Sequence, residues 1–284
     1  MNIALGTANF GSKYGINKKN INSIKNIKKI LKYCSANKIN ILDNAQSYGS
    51  SEKLLSQCKL KKFKVITKIK LPKKYNKKDI NKNIIKSLFE TILKLKINKF
   101  YAILIHKFSK KKQDNLRLIS ILKEIKKKKL VKKIGISVYS PEELERIWIY
   151  WKPDIVQCPL NVLDQRFYRS GCLNKLNKLK IEVHIRSIFL QGLLLKNYNK
   201  IPKKFVKWNY LFKRWIKFCN INKVSQLEGC IQFINSLKFS SKVIIGFANL
   251  NQIKQIIMIA KKSNKMKLFK YYSNNKRLIE PRLW

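Results

Sequence analysis

Short apolar runs, each closed by a polar or ionisable residue, constrain this chain more than any other feature. Ile41-Leu42 ends in Asp43, Val65-Ile66-Thr67 in Lys68, and Ala102-Ile103-Leu104-Ile105 in His106. Such runs read as buried strands, and a parallel barrel shows polar closures where its strands reach the catalytic end. Strand signals recur at 3–6, 40–43, 64–68, 100–106, 133–137, 154–157, 181–186 and 243–246. Helical patterns lie between them. Ser23–Lys38 puts Ile24, Ile27, Leu31 and Cys34 on one face, and Asp79–Ile97 carries Ile84, Leu88, Ile92 and Leu95. Residues 113–129 carry Leu116, Ile119, Leu122 and Ile125, and Pro141 opens a further helix at a position where a missing N–H does no harm. This alternation predicts an α/β domain around a parallel sheet.

Two stretches depart from it. Residues 187–240 are too long for a simple connection. Ser187–Leu195 reads as an extended loop. The aromatic-rich segment 203–220, with Phe205, Trp208, Phe212 and Trp215, reads as an added helix packed on the core. The whole insertion spans about 200–240, and residues 263–284 form a tail beyond the last helix. No second domain and no internal repeat is visible, so residues 1–284 are expected to form a single domain.

Composition narrows the classes. A length of 284 residues and 45% hydrophobic content suit one large α/β domain. No apolar stretch approaches the roughly 18–20 residues of a membrane span. The first strand begins almost at once, which leaves no room for a targeting segment and makes the cytoplasm the expected location. The net charge of +50 would suit a binder of RNA or anionic membranes. Against that, lysines are spread over every predicted helix and no nucleic-acid module is present, so no specific nucleic-acid partner is expected. Six cysteines without a C-x-x-C pair or a His at ligand spacing predict reduced thiols and no metal.

A Tyr, a Lys, an Asp and a His gathered at strand ends make a proton-donating site. A phenol is a weak acid, and a neighbouring ammonium held by a carboxylate favours its ionised form. Asp43-Asn-Ala-Gln-Ser-Tyr48-Gly, followed by Lys68 and His106 at the next two strand ends, resembles the aldo-keto reductases. The resemblance runs from Leu5-Gly-Thr-Ala-Asn-Phe-Gly11 to Ile244-Ile-Gly246-Phe-Ala-Asn249. It implies a closed (β/α)8 TIM barrel and NAD(P)H-dependent reduction of an aldehyde or ketone, sugars among them. By the same resemblance Tyr48 is the general acid, Lys68 lowers its pKa, Asp43 pairs with Lys68, and His106 orients the carbonyl oxygen.

The resemblance also implies a cofactor laid across the mouth of the barrel without a glycine-rich G-x-G-x-x-G loop. Its contacts fall on Gly6, Thr7, Asp43, Ser137, Gln157, Arg186, Ser187, Gly192, Gly246, Asn249 and Gln252. NADPH is the expected cofactor, with NADH open because Phe247–Gln252 holds no cation for a 2′-phosphate. Two further departures stand out: Val138 follows Ser137 where many members have Asn, and Arg186 stands where an aromatic commonly stacks beneath the nicotinamide. A guanidinium there would favour the reduced cofactor. A non-catalytic dinucleotide-binding or partner-binding barrel is the alternative from another class. The sequence is silent on oligomeric state.

Overall fold

Parallel strands pair in chain order and close into a barrel: β1 (Asn2–Gly6), β2 (Ile41–Asp43), β3 (Lys64–Ile69), β4 (Phe100–Ile105), β5 (Val131–Ser137), β6 (Ile155–Pro159), β7 (Glu182–Arg186) and β8 (Lys242–Gly246). Closure runs in continuous register from Asn2 opposite Lys242 to Gly6 opposite Gly246. The computed structural model describes residues 1–11, 15–16, 23–72, 74–76, 78–237, 239, 241–247, 249–262 and 269–284. The outer layer is α1 (Ile24–Ala36), α2 (Ser51–Leu55), α3 (Ile80–Leu95), α4 (Lys112–Lys127), α5 (Pro141–Trp148), α6 (Cys172–Lys178), α7 (Asn209–Ile221), α8 (Gln226–Ser236) and α9 (Leu250–Lys261). This is the predicted (β/α)8 barrel. Among the described residues no helix is long and apolar enough to cross a membrane.

The strands carry two apolar faces. Outward residues such as Leu5, Leu42, Val65, Ile103 and Val156 pack under the helices in the large core. Inward residues Ala4, Ile41, Ile66, Ala102, Leu104, Ile155 and Ile244 form a second cluster inside the barrel. Side chains alternate along a strand, so a step of two residues keeps the face. Applied to Ala4, Ile41, Ile66, Leu104, Ile155 and Ile244, that step reaches Gly6, Asp43, Lys68, His106, Gln157 and Gly246 at the mouth. The same step from Gly135 and His184 reaches Ser137 and Arg186. Gly135 lets β5 lie close to its neighbour, since a Cβ there would stand 2.2 Å from the Ile155 carbonyl oxygen.

Two expectations need correction. Leu116 is 39% exposed, and the buried face of α4 is set by Leu118, Ile119, Ile121, Leu122 and Ile125. Segment 203–220 is a 3₁₀ turn, Lys203–Trp208, followed by α7. Phe205 and Trp208 are both buried and three residues apart, a spacing that eclipses on a 3₁₀ helix. From Trp208 onward the buried Phe212, Trp215 and Cys219 follow steps of three to four, and the chain turns α-helical. Trp215 is fully buried, donates to the Leu194 carbonyl at 3.1 Å, and meets Phe269 edge-on at 5.2 Å.

The first part of the expected tail, 263–268, lies outside the described residues. From Phe269 the chain crosses the loop after β6, where Gln165 donates to the Phe269 carbonyl at 2.9 Å and the Ser273 amide to the Leu163 carbonyl at 2.8 Å. Several acidic side chains are drawn inward. Asp43, Asp164 and Glu280 are almost fully buried in ion pairs, and Glu143 and Glu182 are half-buried in theirs. The exterior is left with few carboxylates among its lysines.

Candidate active site

Asp43 ends β2, and Lys68 points inward from the adjacent β3. Their ion pair is 2.6 Å long, with side-chain exposures of 4% and 1%. Charges so deeply buried persist only when their remaining hydrogen-bonding capacity is also met. Here it is: Lys68 Nζ also donates to the Asn44 carbonyl at 3.0 Å and the Tyr48 hydroxyl at 3.1 Å. Asp43 Oδ1 accepts from Gln157 Nε2 at 2.8 Å. One ammonium therefore joins the carboxylate to the phenol.

Asn44 fixes the turn that carries Tyr48. Its Oδ1 accepts from the Thr7 hydroxyl at 2.7 Å and the Ser51 hydroxyl at 2.9 Å. Gly11 allows the short helical turn Ala8–Gly11 to approach this turn, because a Cβ there would lie 2.1 Å from the Tyr48 carbonyl oxygen. His106, just past β4, sets its ring edge-on to Tyr48 at 5.9 Å, and its Nδ1 lies 3.2 Å from the Ser47 hydroxyl.

Burial first, then the Asp43 carboxylate, pushes the Tyr48 phenol well above its ordinary value, with Arg186 opposing. That direction is opposite to the one expected from the Lys68 ammonium alone. Asp43 lies closer to Lys68 than Tyr48 does and offsets its charge. Burial first, then Lys68, lowers His106 from its ordinary 6.5 to about 4, so the imidazole is neutral near pH 7.

A cleft of about 420 Å³ runs from Tyr48 and Asp43 across the mouth to α9. Gly6, Gln157, Arg186, Ser187, Gly192, Gly246 and Gln252 line it. Thr7, Ser137 and Asn249 do not. Thr7 and Ser137 are buried, with the Thr7 hydroxyl turned to Asn44. Asn249 caps α9 by accepting from the Gln252 amide at 3.0 Å. Lys68 and His106 stand off the wall, in contact with Tyr48 and its turn.

Sequence reasoning passed over several wall residues: Asn9, Phe189, Gln191, Lys196, Leu227 and Gln255. Asn9 follows the β1 end closely enough to have been found by position. Its Oδ1 is buried and has no hydrogen-bond partner among the described residues. The rim after β7 is conformationally tense. Ser187, Leu190 and Gln191 have positive φ, at 63°, 46° and 55°, ahead of Gly192, which takes 89° without strain. Such strain concentrates where loops hold ligands. Among the described residues no group of three or more His, Cys, Asp or Glu is placed to hold a metal.

The wall suits an extended dinucleotide. Gly6 and Gly246 admit close backbone approach, the orphaned Asn9 oxygen awaits a donor, Arg186 and Lys196 supply cations, and Phe189, Leu227 and Ile256 supply apolar surface.

The aldo/keto reductase family profile matches residues 2–270. A search of curated protein sequences found no match. Among solved structures, an aldo-keto reductase from Bacillus halodurans, in a holo form, superposes with a TM-score of 0.74 at 14% identity, covering 94% of this chain and 88% of that one. A glycerol dehydrogenase from Gluconobacter oxydans superposes with a TM-score of 0.71 at 19% identity, covering 93% and 87%. At these identities the likeness speaks for the fold, while the profile speaks for descent. The chain belongs to the aldo/keto reductase family, a family of carbonyl oxidoreductases.

Proposed function

We propose that this protein reduces a small carbonyl compound with a nicotinamide dinucleotide, Tyr48 acting as general acid. The observation that carries the reading is the buried chain Asp43–Lys68–Tyr48, with contacts of 2.6 and 3.1 Å. A proton donor must hold its proton until negative charge develops on the carbonyl oxygen. Burial keeps the phenol protonated in the resting site. As the proton leaves, the Lys68 ammonium is already in place against the forming phenolate, a preorganised charge that needs no rearrangement. Neutral His106 donates a hydrogen bond to the carbonyl oxygen and steers it towards Tyr48. In the reverse direction Tyr48 takes the proton.

The dinucleotide, when bound, supplies the hydride. Gln157 gives one amide hydrogen to Asp43, which leaves its carbonyl oxygen as an acceptor for a carboxamide. Asn9 offers a second acceptor. Lys196 is the cation proposed for a phosphate, and NADPH the proposed cofactor. The proposed location is the cytoplasm, where reduced cofactor is available. Fluorescence titration with NADPH and NADH, followed by a carbonyl-turnover assay, tests it. Tight binding with turnover is expected. Binding without turnover would instead favour a non-catalytic dinucleotide-binding barrel.

A further inference from the structure

His106 has one proton to place between two ring nitrogens, and a single side chain stands at one of them. Burial first, then the Lys68 ammonium, lowers its pKa to about 4, so the ring is neutral near pH 7. The Ser47 hydroxyl lies 3.2 Å from Nδ1. Among the described residues neither of these two atoms has another hydrogen-bond partner, and Nε2 has none at all. Nε2 is not sealed from solvent.

Both partners hang from fixed backbone. The His106 amide donates to the Ile69 carbonyl at 2.8 Å, which carries the β3–β4 ladder one residue past β4. On the other side, Gln46 donates to the Ser87 hydroxyl of α3 at 2.9 Å, and the Tyr48 amide to the Ala45 carbonyl at 3.0 Å. Ser47 is held between these two, 59 residues from His106 in sequence. The Tyr48 ring, edge-on at 5.9 Å, closes one side of the imidazole.

A hydroxyl can donate or accept, so the contact fits either tautomer. The chemistry at the other nitrogen separates them. With its proton on Nδ1, the ring would set a bare lone pair on Nε2 against the lone pairs of a carbonyl oxygen. With the proton on Nε2 it donates to that oxygen, and Nδ1 becomes the acceptor that the Ser47 hydrogen otherwise lacks. The bond made at one nitrogen decides whether the other carries the proton. We propose that Ser47 is a positioning residue: its hydroxyl donates to Nδ1 and holds the His106 imidazole in the Nε2–H form that meets the carbonyl oxygen. This rests on the carbonyl-reductase reading above.

The chain has only 2 histidines, so nitrogen-isotope labelling of histidine lets NMR follow both rings without overlap. His106→Gln assigns the spectrum. His184 is the internal reference: it is buried, its Nε2 donates to the Glu182 carboxylate at 2.7 Å, and its Nδ1 has no partner among the described residues. Near pH 7 the wild type should carry the His106 proton on Nε2. In Ser47→Ala the tautomer ratio should move towards Nδ1–H by about two- to tenfold, the range of one neutral hydrogen bond, with His184 unmoved. Turnover of benzaldehyde, butanal and glyceraldehyde by NADPH is measured beside it. For the best of these, kcat/KM should fall by a similar factor at unchanged NADPH affinity. Ser47→Thr, which returns a hydroxyl, should recover both. Ser47 is exposed, so neither variant should disturb folding.

A wild-type His106 protonated on Nδ1 overturns the proposal. So does an unchanged ratio in Ser47→Ala, which would mean that water serves Nδ1 equally well. A shift of both rings, or one that Ser47→Thr does not reverse, would make Ser47 a packing residue and counts against it. A tautomer shift that leaves turnover as it was denies that Nε2–H meets the carbonyl oxygen and removes the positioning role. If the wild type turns over none of the aldehydes while the tautomers behave as expected, the reductase reading fails and the bond from Ser47 to His106 stands.

Discussion

Tyr48 and Lys68 share one hydrogen bond of 3.1 Å, and substitutions at its two ends have different consequences. Tyr48→Phe removes the proton and leaves the packing, so carbonyl turnover should fall by about 10²–10⁴-fold while NADPH affinity, read by fluorescence, holds. Turnover within about threefold of wild type would take Tyr48 out of the chemistry. Lys68→Met instead strands the buried Asp43 carboxylate, at a cost of about 3–5 kcal/mol in urea unfolding. Adding Asp43→Asn should restore much of that stability and none of the turnover. His106 has its own signature. Its pKa drops from 6.5 to about 4 on folding, so between those values the unfolded chain binds a proton that the folded one refuses. Stability should therefore fall as pH is lowered through that window and level off below about 4, by at most roughly 3 kcal/mol. His106→Gln should flatten the slope; an equally steep one would assign it to other groups. The residues that sequence alone brings forward here are those ending strands, because a strand end fixes height and facing together. Thr7 follows β1 and Asn249 precedes α9, but each had a nearer backbone or side-chain partner.

Elements show the same division between local and distant causes. Strands were legible to within about two residues because β-branched runs bounded by polar residues have few other ways to be buried. The break between the 3₁₀ turn at Lys203–Trp208 and α7 was not, since it depends on where Phe205 and Trp208 must both be covered. The face of α4 was misread at Leu116 because that helix also hides Asn115, whose amide bonds Ser109 of the preceding loop. At Gly135 the constraint is steric and lies between two strands. A methyl there would meet the Ile155 carbonyl, and neither backbone can move without opening the barrel. Gly135→Ala should cost about 3 kcal/mol or more, at the upper end of overpacking, in thermal or urea unfolding. A loss under about 1 kcal/mol would mean that β5 and β6 separate readily.

For the whole molecule, the net charge of +50 is the fact that composition states and structure sharpens. Asp43, Asp164 and Glu280 are buried in internal pairs that take Lys68 and Arg166 inside with them, so the positive excess stays on the surface. Self-repulsion of that kind is relieved by screening. Raising the salt from about 0.01 M to about 0.15 M, which shortens the screening length from about 30 to about 8 Å, should raise the melting temperature at pH 7. An unchanged or lower value would show that the lysines are too dispersed to matter.

The join between β1 and β8 bears on the order of events in folding. The two strands are paired along five positions, yet Asn2 and Lys242 stand 240 residues apart. Contacts so remote in sequence form late, after the loops between them have been closed. Until then the assembling sheet has two bare edges, each able to pair with the edge of another chain. Repulsion between such highly charged chains opposes that encounter while the join within one chain remains open to form. The excess of lysine, costly in the finished barrel, thus protects the interval before it exists.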